Sequence, residues 1–323
     1  MQGNRKRLTN SRTIILGFIC IIIVGTLLLM LPISTKPGQE TTPLGALFTA
    51  VSSTCVTGLV VYDTFTHWTV FGQLVLLTLI QIGGLGFVVW DDLYIKKWHI
   101  TKYSFQTKAV LIITGVLIFG GTGLFLILEN NNLFAGMSTG DRLLAALFSA
   151  VTPRTAGFNT VDTASLSSGG MFTTIVLMFI GGSPGSTAGG IKTTTVFVIF
   201  LYIRSYLLRQ KDCIAFKHRM DTEAVKKASI VVFINLLLAV SGSMIIFLAQ
   251  NLPMPDVLFE VFSACGTVGM STGVTRQLND ISRIVIIILM FCGRMGSLTF
   301  AMSFTERRKT EEIRYPEEQI IVG

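Results

Sequence analysis

Three short strips of small residues carry the chemistry this sequence offers. The first is Thr54, Cys55, Val56, Thr57 and Gly58; the second is Thr152, Pro153, Arg154, Thr155, Ala156 and Gly157. The third is Thr267, Val268, Gly269, Met270, Ser271, Thr272 and Gly273. Each follows an amphipathic run of related composition: residues 47–51, 147–151 and 261–265. With Phe48, Phe148 and Phe262 taken as equivalent, the copies stand 100 and 114 residues apart. Carbonyl oxygens of such strips, turned toward one axis at membrane depth, replace the hydration shell of a cation. Glycine supplies the positive φ that this requires. The expected chemistry is ion selection.

A second candidate interrupts an apolar run: Gly181, Gly182, Ser183, Pro184, Gly185, Ser186, Thr187, Ala188, Gly189 and Gly190, followed by Ile191, Lys192 and three threonines. No straight helix keeps its hydrogen-bond ladder through five glycines and a proline in ten residues. A membrane helix broken in this way lines a cavity. Close helix packing through small residues is the alternative, which Pro184 and Lys192 suit poorly. Arg294, inside the last apolar run, either faces a watery path or snorkels to the cytoplasmic surface. Arg154 is expected to point away from the axis and to pair behind its strip with Asp162 or Glu129. Asp63 and Asp162, five residues beyond their strips, either attract cations or cap loops.

Positioning the strips requires short helices that enter the membrane without crossing it. Residues 43–53, 141–151 and 255–264 fit, with Pro43, Asp141 and Pro255–Asp256 as helix starts. Their negative dipole ends then face the ion path. Ordinary extracellular loops are the plain alternative, but three copies in phase with the apolar runs argue for re-entry. Six runs reach the roughly 20 residues needed to span, near 13–32, 68–90, 108–128, 170–206, 228–250 and 281–304. The first is too long, and lacks the cleavage site, for a signal peptide.

Half of the 323 residues are hydrophobic and 14% are charged, which makes the chain an all-α polytopic membrane protein with three visible helix–pore loop–helix repeats. The net charge of +8 does not point to nucleic acid. Of 26 Lys and Arg, 19 cluster at residues 5–12, 96–108, 204–227 and 307–314, all on one side if the spans alternate. That places both termini in the cytoplasm and basic loops against the lipid bilayer. The boundaries read as a cytoplasmic N-terminus at 1–12, pore repeats at 13–90, 105–206 and 226–305, and a cytoplasmic tail at 306–323. Five scattered cysteines and three separate histidines form no disulfide or metal pattern. Neither HExxH-type, Ser–His nor P-loop signatures occur, so an enzyme is not expected, nor is an organic cofactor.

The segments AVSSTCVTGLVVY (50–62), QIGGLGF (81–87), VTPRTAGFNT (151–160), FIGGSPGSTAGGIKTTT (179–195), EVFSACGTVGMSTGVT (260–275) and MFCGRMGSLT (290–299) resemble the membrane subunit of the bacterial Ktr potassium-uptake system, in the Trk/Ktr/HKT superfamily. The resemblance implies four pore repeats around a pseudo-fourfold axis and a transported potassium ion held at Gly58, Gly157 and Gly273. Offsets of 10, 9 and 11 from the shared Phe favour Gly273 over Gly269, whose offset is 7. It also implies that residues 181–195 gate the pore beside Arg294, and that a homodimer in a bacterial cell membrane works with a cytosolic ring of nucleotide-binding regulatory subunits. The greasy C-terminus, residues 320–323, is a candidate for the dimer contact.

This chain departs from that pattern by showing three repeats. Residues 81–87 look like the end of the family's first repeat, and residues 88–94 like the end of its second, so one unit of order 100 residues is missing between them. A three-strip wall leaves a cation partly unsolvated. The competing expectation is therefore a non-conducting structural subunit.

Overall fold

The computed structural model describes residues 17–97, 99–186, 188–210 and 212–295. The expectations for both termini, for the outer ends of the first and last apolar runs and for Thr187 fall outside these residues.

Among the described residues the chain is helical apart from a two-residue hairpin, β1 (Ile214–Ala215) with β2 (His218–Arg219), in which Ile214 faces Arg219. The first unit comprises α1 (Gly17–Leu29), the re-entrant α2 (Pro43–Thr54), a single turn α3 (Thr64–His67) and α4 (Val70–Leu85), continued by α5 (Phe87–Lys96). The second comprises α6 (Phe105–Leu128), the re-entrant α7 (Thr139–Val151), α8 (Ser168–Phe179) and α9 (Thr193–Leu207). The third comprises α10 (Thr222–Ala249), the re-entrant α11 (Met254–Gly266) and α12 (Asp280–Met295).

Local chemistry accounts for the re-entrant starts. The Thr42 hydroxyl caps α2 by accepting from Gly45 N, with Pro43 in the first turn. Ser138 caps α7, accepting from Asp141 N and donating to Asp141 Oδ2 at 2.8 Å. Pro253 precedes α11, whose first turn carries Asp256. At 12, 13 and 13 residues these helices reach about 20 Å, too short to cross a bilayer core of roughly 30 Å.

The six apolar runs resolve unequally. Among the described residues, only α6 and α10, of 24 and 28 residues, are long and apolar enough to cross alone. The run near 68–90 does not continue as one straight span. It turns by 98° between α4 and α5 at Gly86, whose φ of 80° ends the helix. The run near 170–206 breaks into α8 and α9 around residues 180–192.

Two cores join the units in series. Leu29, Ala46, Trp68, Leu76 and Ile80 of the first unit pack with Leu144, Phe148 and Phe158 of the second. Ile175 and Met178 on α8 pack with Phe259 and Val268 of the third, and Phe179 meets Phe262 edge-on at 5.7 Å. In each case the descending helix of one unit covers the re-entrant helix of the next.

Candidate functional site

Each re-entrant helix unwinds into a strip of one conformation. Val56 and Gly58 have φ of 54° and 81°, Thr155 and Gly157 have 72° and 73°, and Thr267 and Gly269 have 53° and 84°. A left-handed residue, one ordinary residue and a left-handed glycine thus recur three times, with Val and Thr accepting a backbone region they normally avoid. Such strain persists only where surrounding structure enforces it.

The enforcing groups are equivalent in all three units. Ser52 Oγ donates to Leu59 O at 2.7 Å, Thr152 Oγ1 to Phe158 O at 2.6 Å and Ser263 Oγ to Met270 O at 2.6 Å. Inside these brackets Thr57 N reaches Ser52 O, Ala156 N reaches Thr152 O and Val268 N reaches Ser263 O, at 2.8, 3.0 and 2.9 Å. The descending helices match too. A Cβ on Gly83 of α4 would collide with Thr54 O, and one on Gly293 of α12 with Cys265 O.

This register corrects the third strip. The residue equivalent to Phe48 and Phe148 is Phe259, not Phe262, and counted from it the offsets are 10, 9 and 10 for Gly58, Gly157 and Gly269. Gly273 lies beyond the strip, as do Ser271 and Thr272. Its φ of 99° serves a turn in which Gly273 N donates to Ser271 Oγ at 2.9 Å, and the hydroxyls of Ser271 and Thr275 donate to the buried Glu260 carboxylate. At the other end, Thr54 is the last residue of α2 and Cys55 its cap, so the first bent strip is Val56, Thr57 and Gly58. The bracketing hydroxyls Ser52, Thr152 and Ser263 were not anticipated. The signal for them was a hydroxyl residue four positions after Phe48, Phe148 and Phe259.

The strips meet. A Cβ on Gly58 would stand 2.9 Å from Ala156 O, and one on Gly157 would stand 2.8 Å from Gly58 Cα and 3.0 Å from Val268 O. Gly157 is therefore flanked by both other strips, and the Gly58 and Gly157 backbones are in contact. Gly269 faces open space, with nothing within 4 Å of its Cβ position.

The glycine-rich segment lies against this cluster. Gly181 N donates to Ile191 O and Thr193 N to Gly182 O, closing the segment into a loop between the two half-helices. Ser183 donates to Gly84 O through N and Oγ, at 3.2 and 3.0 Å, and Phe87 N donates to Gly185 O at 3.2 Å. Gly185 and Gly190 have positive φ, Pro184 O approaches Gly86, Ser186 Oγ donates to Ser183 O and Ala188 N donates to Ser186 Oγ. At Gly189 any side chain would run into Thr267 Oγ1, so the loop packs directly against the base of the third strip. Lys192 Nζ donates to Ala188 O, and Arg294 on α12 lies within Coulombic reach of Lys192. Lys192 therefore lies against the loop, with the exposed Arg294 in its electrostatic neighbourhood.

The remaining charges resolve differently. Arg154 is buried and turns away from the strips, but its hydrogen bond goes to Thr114 Oγ1 on α6 at 3.3 Å, not to Asp162 or Glu129. Glu129 is fully buried and accepts from Ser167 N, Ser167 Oγ and Asn132 Nδ2, holding the start of α8. Asp63 caps α3 and Asp162 caps a short turn at residues 163–165, so both are spent on loop capping. No group of three or more potential metal-ligating side chains occurs among the described residues.

Comparison with known proteins gives a consistent picture. The sequence matches the family TrkH, described as cation transport protein, over residues 7–112 and 98–313. It is 29% identical to the potassium/sodium uptake protein NtpJ of Enterococcus hirae over 445 aligned positions, covering 99% of this chain and 98% of the relative. It is 31% identical to the Ktr system potassium uptake protein B of Bacillus subtilis, covering 98% and 97%. In fold it resembles the crystal structure of the potassium transporter TrkH from Vibrio parahaemolyticus, with a TM-score of 0.77 at 19% identity. That superposition covers 93% of this chain and 64% of the solved one.

Proposed function

The chain belongs to the TrkH family of cation transport proteins, and from that membership we propose that it is the potassium-translocating membrane subunit of a Ktr-type uptake system. The observation that carries this reading is the convergence at Gly157 of three strips with one repeated backbone conformation. Carbonyl oxygens around Gly58, Gly157 and Gly269 are the ligands for the transported cation, and the negative ends of α2, α7 and α11 add to the attraction. The loop at residues 181–190, with Lys192 and Arg294 beside it, forms the gate. A positive charge below the filter opposes cation passage until the loop and its cations move. The chain sits in a bacterial cell membrane with both termini in the cytoplasm, as a homodimer, and a cytosolic nucleotide-binding subunit regulates it. The name of the Bacillus relative and the one-sided lysines and arginines support that arrangement.

The chain carries one pore unit fewer than its relatives. In support, the alignment to the Enterococcus protein has 445 positions for a chain of 323 residues, and the two stretches matching the family overlap at residues 98–112. The contact between the Gly58 and Gly157 backbones favours a second reading, a membrane subunit that does not conduct. Liposomes containing the purified full chain separate the two. The transport reading expects potassium flux above that of empty vesicles, slower than through the Bacillus relative and larger than sodium flux. Folded protein with no flux of either ion overturns it and leaves the non-conducting subunit.

A further inference from the structure

We propose that Arg154 sets how tightly the strips hold the transported cation: its positive charge, buried behind the second strip without a counter-ion, opposes occupancy of the site. The inference rests on the reading of the strips as a cation site and concerns the strength of that site. Arg154 stands three residues before Gly157, where the other two strips have Cys55 and Gly266. It is 6% exposed, and a guanidinium does not give up its proton in a protein. Among the described residues its hydrogen bonding ends with the 3.3 Å donation to Thr114 Oγ1 on α6. Its Nε is enclosed without an acceptor, and no ion pair includes it. The buried carboxylates are committed elsewhere, Glu129 to Ser167 and Asn132, Glu260 to Ser271 and Thr275.

The end of α7 makes this charge tolerable. The helix stops at Val151, Arg154 N donates to Val151 O at 3.1 Å, and a cation at a helix C-terminus meets the negative end of the macrodipole. Neither α2 nor α11 has a basic residue within three positions of its end. Their negative ends act on the transported ion, whereas that of α7 is offset by Arg154. Solvent screens a buried charge weakly, so its field reaches the strips. Two unit charges about 12 Å apart, at an effective dielectric constant of about 20, change each other's binding roughly tenfold. The effect is Coulombic and therefore alike for potassium and sodium, while discrimination between them stays with the carbonyl geometry. A site weakened in this way lets its ion leave, which conduction requires as much as entry.

Thermal unfolding of the purified full chain in detergent tests this, with potassium chloride replacing choline chloride at constant ionic strength. The quantity read is the potassium concentration that gives half of the rise in melting temperature. Arg154→Met removes the charge, and Thr114→Asp neutralises it in place through the one side chain that Arg154 already reaches. Both are expected to lower that concentration about tenfold and to lower the corresponding sodium concentration by the same factor. Arg154→Lys, which keeps the charge, and Thr114→Asn, which adds none, are expected to leave both concentrations unchanged. If Arg154→Met does not fold, Thr114→Asp against Thr114→Asn decides. Half-effect concentrations that are equal in Thr114→Asp and the parent, a Thr114→Asn shift as large as that of Thr114→Asp, or a shift for potassium alone would each overturn the proposal while leaving the cation site in place. A parent chain with no potassium response would remove the site itself, and the role of Arg154 with it.

Discussion

At the residue scale the informative contrast is between Gly269 and Gly273. Both have positive φ, so both resist substitution on backbone grounds. Only Gly269 stands in the bracket formed by Ser263 Oγ and Met270 O. A cation held by the strips stabilises the folded protein by mass action, which gives a readout that does not need conduction. Potassium is expected to raise the melting temperature of the purified chain more than sodium does. Gly58→Ser, Gly157→Ser and Gly269→Ser should abolish that difference, and Gly273→Ser should retain it although it lowers stability. Gly157→Ser is expected to be the most disruptive, because its Cβ would meet the backbones of both neighbouring strips. Retention of the potassium effect in all of the first three would remove the glycines from the ion site. Arg154 and the bracketing hydroxyls illustrate what residue types alone left open: a charge or a hydroxyl announces a need for a partner, not which one answers it.

At the scale of elements the broken helix and the kink form one mechanical unit. The loop between α8 and α9 is tied to the α4–α5 turn by Ser183 on Gly84 and by Gly185 on Phe87. On the other side of α5, Asp92 accepts from Ser104 N and Thr107 Oγ1, at 2.8 and 2.6 Å, and thereby holds the start of α6. Losing a cap of this kind costs about 1 kcal/mol. Asp92→Asn is therefore expected to lower the unfolding free energy by about that amount, with a lower denaturation midpoint, and to speed amide exchange in the first turn of α6 and in α5. A midpoint equal to that of the parent protein would detach Asp92 from this role. The loop itself was legible in composition, because five glycines and a proline cannot continue a helix. Its seat under Thr267 was not legible, since close backbone approach leaves no mark beyond the glycines that permit it. The Phe262 register failed for a related reason: Phe259 and Phe262 both sit on the apolar side of α11, and only burial separates them.

At the scale of the whole molecule, stability depends on the cores that join units in series. Leu76 is fully buried where α4 meets α2 and α7. Leu76→Ala leaves a cavity there, and a loss of roughly 2–5 kcal/mol is expected, measured by denaturation in detergent. The same kind of truncation at an exposed position, Phe119→Ala on α6, should cost far less. If the two variants melt alike, the first and second units are not coupled through this core.

Periodic hydrophobicity, caps, prolines and glycines are local properties, and they determined in the sequence alone the short helices before each strip and the interrupted apolar run, while the motifs themselves carried the resemblance to cation transporters. Distances between segments far apart in the chain are not local. Tertiary packing therefore decided which glycine completes the third strip, that Gly157 lies between the other two, and that the loop rests against Thr267. Each of those outcomes follows from how closely backbones approach once apolar faces are buried, and no residue encodes that by its type.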